Sequence, residues 1–111
     1  MRIGRSPKLP INRNWIATGK DGETYLIDVS IKQTDDKNKY PPIGVKSVFR
    51  VLQIDSNGEQ KLVILIDNHK PFGFHEHDKL PEVHDSREEI HTDDWQGAWT
   101  IFEERIKELL T

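Results

Sequence analysis

The sequence predicts a single α+β domain, an antiparallel β-meander of four to five strands with a C-terminal amphipathic helix packed on one face. Three patterns carry that expectation. Two β-branched segments, residues 45–54 and 60–66, flank Asp55-Ser56-Asn57-Gly58, whose Asn-Gly step favours a hairpin turn. Upstream, Tyr25, Ile27, Val29 and Ile31 alternate with Thr24, Leu26, Asp28 and Ser30, the period of two that gives a strand one apolar face. At the C-terminal end, Trp95, Trp99, Phe102, Ile106 and Leu109 recur at a spacing near 3.6, which draws an apolar stripe down a helix.

Taken in order, residues 1–13 read as a basic, partly extended arm, because Pro7 and Pro10 oppose a helix. Residues 14–17 suggest a short strand, and Gly19-Lys20-Asp21-Gly22 supplies the glycines of a tight reversal into a second strand at 23–32. The charged, proline-containing stretch from Thr34 to Gly44 is a long loop and the best candidate for mobility. The 45–54 and 60–66 pair should be the middle of the sheet. Its second member, with Leu62-Val63-Ile64-Leu65-Ile66 unbroken, implies burial on both faces or a helix laid across one. After the Lys70-Pro71 break, residues 72–77 form a further short strand. Ser86-Arg87-Glu88-Glu89 has the form of a capping box, so a helical turn and a brief strand at 88–91 are both open there. The last helix is expected over 92–110, capped by Thr92, with Asp93 and Asp94 in its first turn near the positive end of the dipole. Trp95 and Trp99 are expected in the core, and Gln96, Glu103, Glu104, Lys107 and Glu108 on the outer face.

Composition narrows the class of function. With 34% hydrophobic and 32% charged residues the chain can bury enough surface to fold, and 111 residues suit one core rather than two. It has no cysteine, so disulfides, thiolate metal sites and cysteine nucleophiles are excluded, and any metal must sit on histidine and carboxylate. No apolar run reaches the length needed to cross a bilayer, and the first twenty residues lack the apolar centre of a signal peptide, so the expected location is cytoplasmic, with no membrane partner. The net charge of −3 conceals an asymmetry, since residues 1–20 hold Arg2, Arg5, Lys8, Arg13 and Lys20 and no acid. Arg2, Arg5, Lys8 and Arg13 are candidate phosphate contacts; the alternative is a solvated tail.

The five histidines, His69, His75, His77, His84 and His91, all fall in one window, among Asp67, Glu76, Asp78, Glu82 and Asp85. In an extended strand His75 and His77 present their imidazoles on one face while Glu76 points away. Such a pair can ligate a divalent metal, with Asp67, Asp78 or His84 as a third ligand, or serve without metal as acid and base in RNA transesterification. The alternative is a solvated polar rim in which Asp67 and Asn68 are turn formers and His91 merely precedes the helix. No glycine-rich phosphate loop, paired histidine on a helix or nucleophile elbow competes with this cluster.

The run Leu65-Ile66-Asp67-Asn68-His69, followed by Phe74-His75-Glu76-His77 and the amphipathic helix, resembles the TumE-family toxins of bacterial toxin-antitoxin modules over roughly residues 45–110. The resemblance implies a small α+β toxin acting on nucleic acid, a possible endoribonuclease partnered by a helix-turn-helix antitoxin. It makes Asp67, Asn68, His75 and His77 the positions that matter, with His84 assisting. Charge is the point of departure, for which the basic arm is the compensation. Two other classes fit the same residues: a non-catalytic module binding a protein through its acidic surface, and a metal-binding protein using His75, His77 and His84. A homodimer formed through a strand edge is compatible with each.

Overall fold

A computed structural model of the chain describes residues 9–34, 36, 44–68, 73–77, 88–90, 92 and 94–111. The fold is α+β. Six strands run in the order β1 (Ile11–Thr18), β2 (Thr24–Gln33), β3 (Val45–Ile54), β4 (Gln60–Asp67), β5 (His75–Glu76) and β6 (Glu88–Glu89), followed by α1 (Trp95–Leu110). Every neighbouring pair is antiparallel and their order in the sheet is their order in the chain. Four strands are long and two are single steps, so the meander has two more members than its four strongest sequence patterns.

Turn chemistry fixes the long hairpins. At the β3–β4 reversal Asp55 Oδ1 accepts from the amides of Asn57 and Glu59 at 2.8 and 3.0 Å, and Gly58 takes the left-handed conformation, φ +80°, that side chains disfavour. The β1–β2 reversal closes with Gly19 N–H donating to Glu23 C=O at 2.8 Å. Thr34 N–H donates to Gly44 C=O at 2.7 Å, which clamps the base of the long loop. The interior of that loop lies largely outside the described residues.

One face of the sheet carries the core. Ile27, Val29, Ile31, Phe49, Val51 and Ile66 are buried there, each within 1% of complete exclusion from solvent, and α1 crosses β3 and β4 above them. The helix lays down Trp95, Ala98, Trp99 and Phe102; Phe49 meets Trp99 edge-on at 5.8 Å and Phe102 at 5.4 Å between ring centroids. Burying these aromatics contributes roughly 1.5–3 kcal/mol per side chain, which is the main term holding the helix to the sheet.

Several boundaries differ from the sequence reading. The sheet begins at Ile11, buried and paired with Ile31, so Ile11, Asn12 and Arg13 belong to β1 rather than to an arm. The helix starts at Trp95, and its cap is Asp94, whose Oδ1 accepts from Gly97 N–H at 2.7 Å; no acid occupies its first turn. Thr92 instead leans its hydroxyl over Gly97, where an added β-carbon would collide with Oγ1. The segment at 88–89 is a strand and not a helical turn. In β4 only Ile66 is fully buried, and the unbroken apolar run reflects a β-bulge as well as the helix. Leu52 pairs with Leu62 and Val51 with Ile64, so Val63 is the extra residue.

Candidate functional site

The site is assembled where β4 ends and β5 returns beside it. Asn68, 1% exposed, anchors the end of β4: its Nδ2 donates to Val45 C=O at 2.7 Å and its Oδ1 accepts from Ser47 N–H at 2.9 Å. The carboxamide imitates a peptide group and ties the strand end to the start of β3. Gly73, at φ +64°, turns the returning chain, and buried Phe74 fastens it to the core.

Pairing then decides which side chains meet. Asp67 lies opposite His75 and Ile66 opposite Glu76, and His77 N–H donates to Leu65 C=O at 3.0 Å, continuing the ladder one step past β5. Residues directly opposite share a face. Asp67, His75 and His77 therefore gather on the face away from the helix, while Glu76 points toward it, as strand alternation requires.

The three side chains touch. Asp67 Oδ1 lies 2.8 Å from His75 Nε2, and its Oδ2 lies 3.9 Å from His77 Nε2. The two imidazoles are tilted at 51° with centroids 5.1 Å apart. Both histidines are buried, at 3% and 9% exposure, and Asp67 is partly so. Hydrogen-bond accounting places one proton of His75. Its Nδ1 faces the carbonyl of Gly73 at 2.8 Å, and a carbonyl can only accept, so Nδ1 carries a proton. Nε2, facing the Asp67 carboxylate, shares a second proton with it when the pair is protonated and offers a lone pair when it is not. As potential ligands, Asp67, His75 and His77 each bring one donor atom within 4.8 Å of the others.

His77 has a second environment. It lines a cleft of about 360 Å³ together with Val63, Ile64, Glu76, Arg105 and Leu109. Across that cleft Arg105 Nε donates to Glu76 Oε2 at 2.7 Å, and Arg105 Nη1 approaches Glu108 at 3.5 Å. The hydrogen bond to Glu76 holds the guanidinium above its ordinary value, against the opposing effect of burial. Arg105 and the cleft role of Glu76 were not singled out from sequence. The available signal was a lone arginine in the last half of a helix otherwise rich in acids, too common on solvated helices to select it.

Of the other candidate residues, Arg13 is exposed in β1, with β2, β3 and β4 between it and the histidines, about 19 Å of sheet at the usual strand spacing. Arg2, Arg5, Lys8, His69, Asp78, His84 and His91 lie outside the described residues. No protein family, curated protein or solved structure matches the chain. No helix among the described residues is long and apolar enough to cross a membrane.

Proposed function

We propose that the protein is a toxin-like endoribonuclease in which His77 performs proton transfer, Asp67 and His75 position and charge it, and Arg105 holds the phosphate. One observation carries the reading: His77 contacts the Asp67–His75 pair and also lines a cleft that contains a guanidinium. A phosphodiester needs a base beside the attacking hydroxyl and a cation beside its oxygens; the imidazole would supply the first from the Asp67 face, and Arg105 the second from the helix side of the cleft that His77 borders. In the reaction the 2′-hydroxyl loses its proton to His77 and attacks the adjacent phosphorus. The bond to the 5′-oxygen breaks, and that oxygen takes up the proton shared by His75 and Asp67. The products are a 2′,3′-cyclic phosphate and a free 5′-hydroxyl, with no external reactant required.

Asn68 has an architectural part in this scheme, since it fixes the strand end from which Asp67 projects. The resemblance to TumE-family toxins supports the same substrate class and a helix-turn-helix antitoxin as the neutralising partner. Arginines and lysines of the N-terminal segment would contribute further phosphate contacts.

Purified protein should cleave RNA at substoichiometric amounts, and induced expression should slow bacterial growth. His77→Ala should reduce cleavage by about 100-fold or more. A doubly substituted His75→Ala, His77→Ala protein that remains toxic and leaves RNA profiles unchanged would sink the reading.

A further inference from the structure

We infer that Asp67, His75 and His77 form a binding site for one divalent transition-metal ion of the zinc, cobalt, nickel and copper class. The inference does not depend on RNA cleavage and would stand if the protein cut nothing.

Donor chemistry comes first. Two imidazoles and one carboxylate from adjacent strands make a three-ligand set that leaves positions for water, and imidazole favours these ions over magnesium or calcium. Distances agree with it. Ligands held about 2.0–2.2 Å from a metal stand about 3.0–3.5 Å from one another, and the three donors here already lie between hydrogen-bond contact and 4.8 Å apart.

The stronger argument is orientation. A histidine that ligates through one nitrogen commonly donates its other N–H to a backbone carbonyl or carboxylate, which fixes the tautomer. His75 does so through Nδ1 to Gly73, and this turns Nε2 toward Asp67 and the side of His77. The scaffold is also firm. Asn68 pins the strand carrying Asp67 and the Leu65 carbonyl holds the His77 backbone, while Glu76, between the two histidines, is tied on the opposite face to Arg105. Burial of both imidazoles limits competition from bulk water. A bound ion would take the lone pair of His77 and therefore suppress any proton transfer by that residue.

Cobalt(II) and copper(II) serve as probes on the full-length chain after chelator treatment. Cobalt should produce visible d–d absorption that saturates at one equivalent. His77→Gln and Asp67→Asn should each weaken binding about tenfold or more, with folding checked by far-UV circular dichroism. The copper resonance spectrum should show coupling to two imidazole nitrogens and lose one in His77→Gln. Because His69, His84 and His91 could also capture ions, a triple His69→Gln, His84→Gln, His91→Gln protein should retain the site. Cobalt affinity unchanged in a folded His75→Gln, His77→Gln protein, or abolished in the triple variant, would overturn the assignment. Cobalt binding without RNA cleavage would leave it intact and remove only the ribonuclease reading.

Discussion

Arg105 in the helix and Glu76 in the two-residue strand β5 are joined by a 2.7 Å hydrogen bond that spans the cleft wall. The residue between the two histidines is thus held from the helix side while the histidines face the other way. Arg105 is more than a third exposed, so solvent screens the pair, and Arg105→Met should cost about 0.5–1 kcal/mol in urea unfolding. Its effect on RNA cleavage should be larger, through loss of the phosphate contact, and Arg105→Lys should restore part of it. Equal cleavage by Arg105→Met and the unaltered protein would remove Arg105 from the substrate site.

Asn68→Ala should be among the costliest polar substitutions. It would take from the buried amide of Ser47 its side-chain acceptor and leave the carbonyl of Val45, which also accepts from Ser47 Oγ, with one donor fewer. The expected loss is about 2–4 kcal/mol, read from denaturant midpoints at unchanged slope. A loss below about 1 kcal/mol would show that the backbone of β3 finds replacement partners.

Trp99 is 1% exposed, and its Nε1 is the buried side-chain polar atom without a hydrogen-bond partner among the described residues. Trp99→Phe keeps the edge-on contact with Phe49 and discards that unpaired N–H, so it should cost about 1–2 kcal/mol, against about 3–5 kcal/mol for Trp99→Ala. Similar losses for the two would mean that the indole N–H is contributing a bond.

Tyr25 should ionise late. Burial raises its phenol above the ordinary 10.0, and Glu23 and Asp21 push the same way. Its folded value exceeds its unfolded one, so its contribution to stability is fully present below pH 10 and disappears as pH rises through the folded value. Tyr40→Phe isolates Tyr25 for an absorbance titration at alkaline pH. Ionisation at or below the ordinary value would contradict the burial argument.

The main strands were legible because their signals are local. Alternation at Tyr25, Ile27, Val29 and Ile31 named the buried face of β2 residue by residue, and Asp55 to Gly58 placed the central turn. The shared face of His75 and His77 was also legible, since strand parity alone sets it, whereas Asp67 joins them through the β4–β5 pairing. Sequence was less informative where partners are distant along the chain. Arg105 enters the cleft only because α1 folds back over β4, and Asn68 anchors a strand more than twenty residues earlier. The cap was misplaced by two residues because Thr92, Asp93 and Asp94 can each cap a helix, and the choice rests on which backbone bends.

The extra residue at Val63 acts as a frame correction. Counting back from the Asn57-Gly58 turn without it, Asp67 would fall opposite Ser47, on the side roofed by the helix, and His75, paired opposite Asp67, would follow it there. With it, Asp67 falls opposite Val48 and meets His75. A ladder closed up without the bulge would therefore spare the hairpin and turn the triad under the helix, inverting the address of every side chain between that point and the strand end.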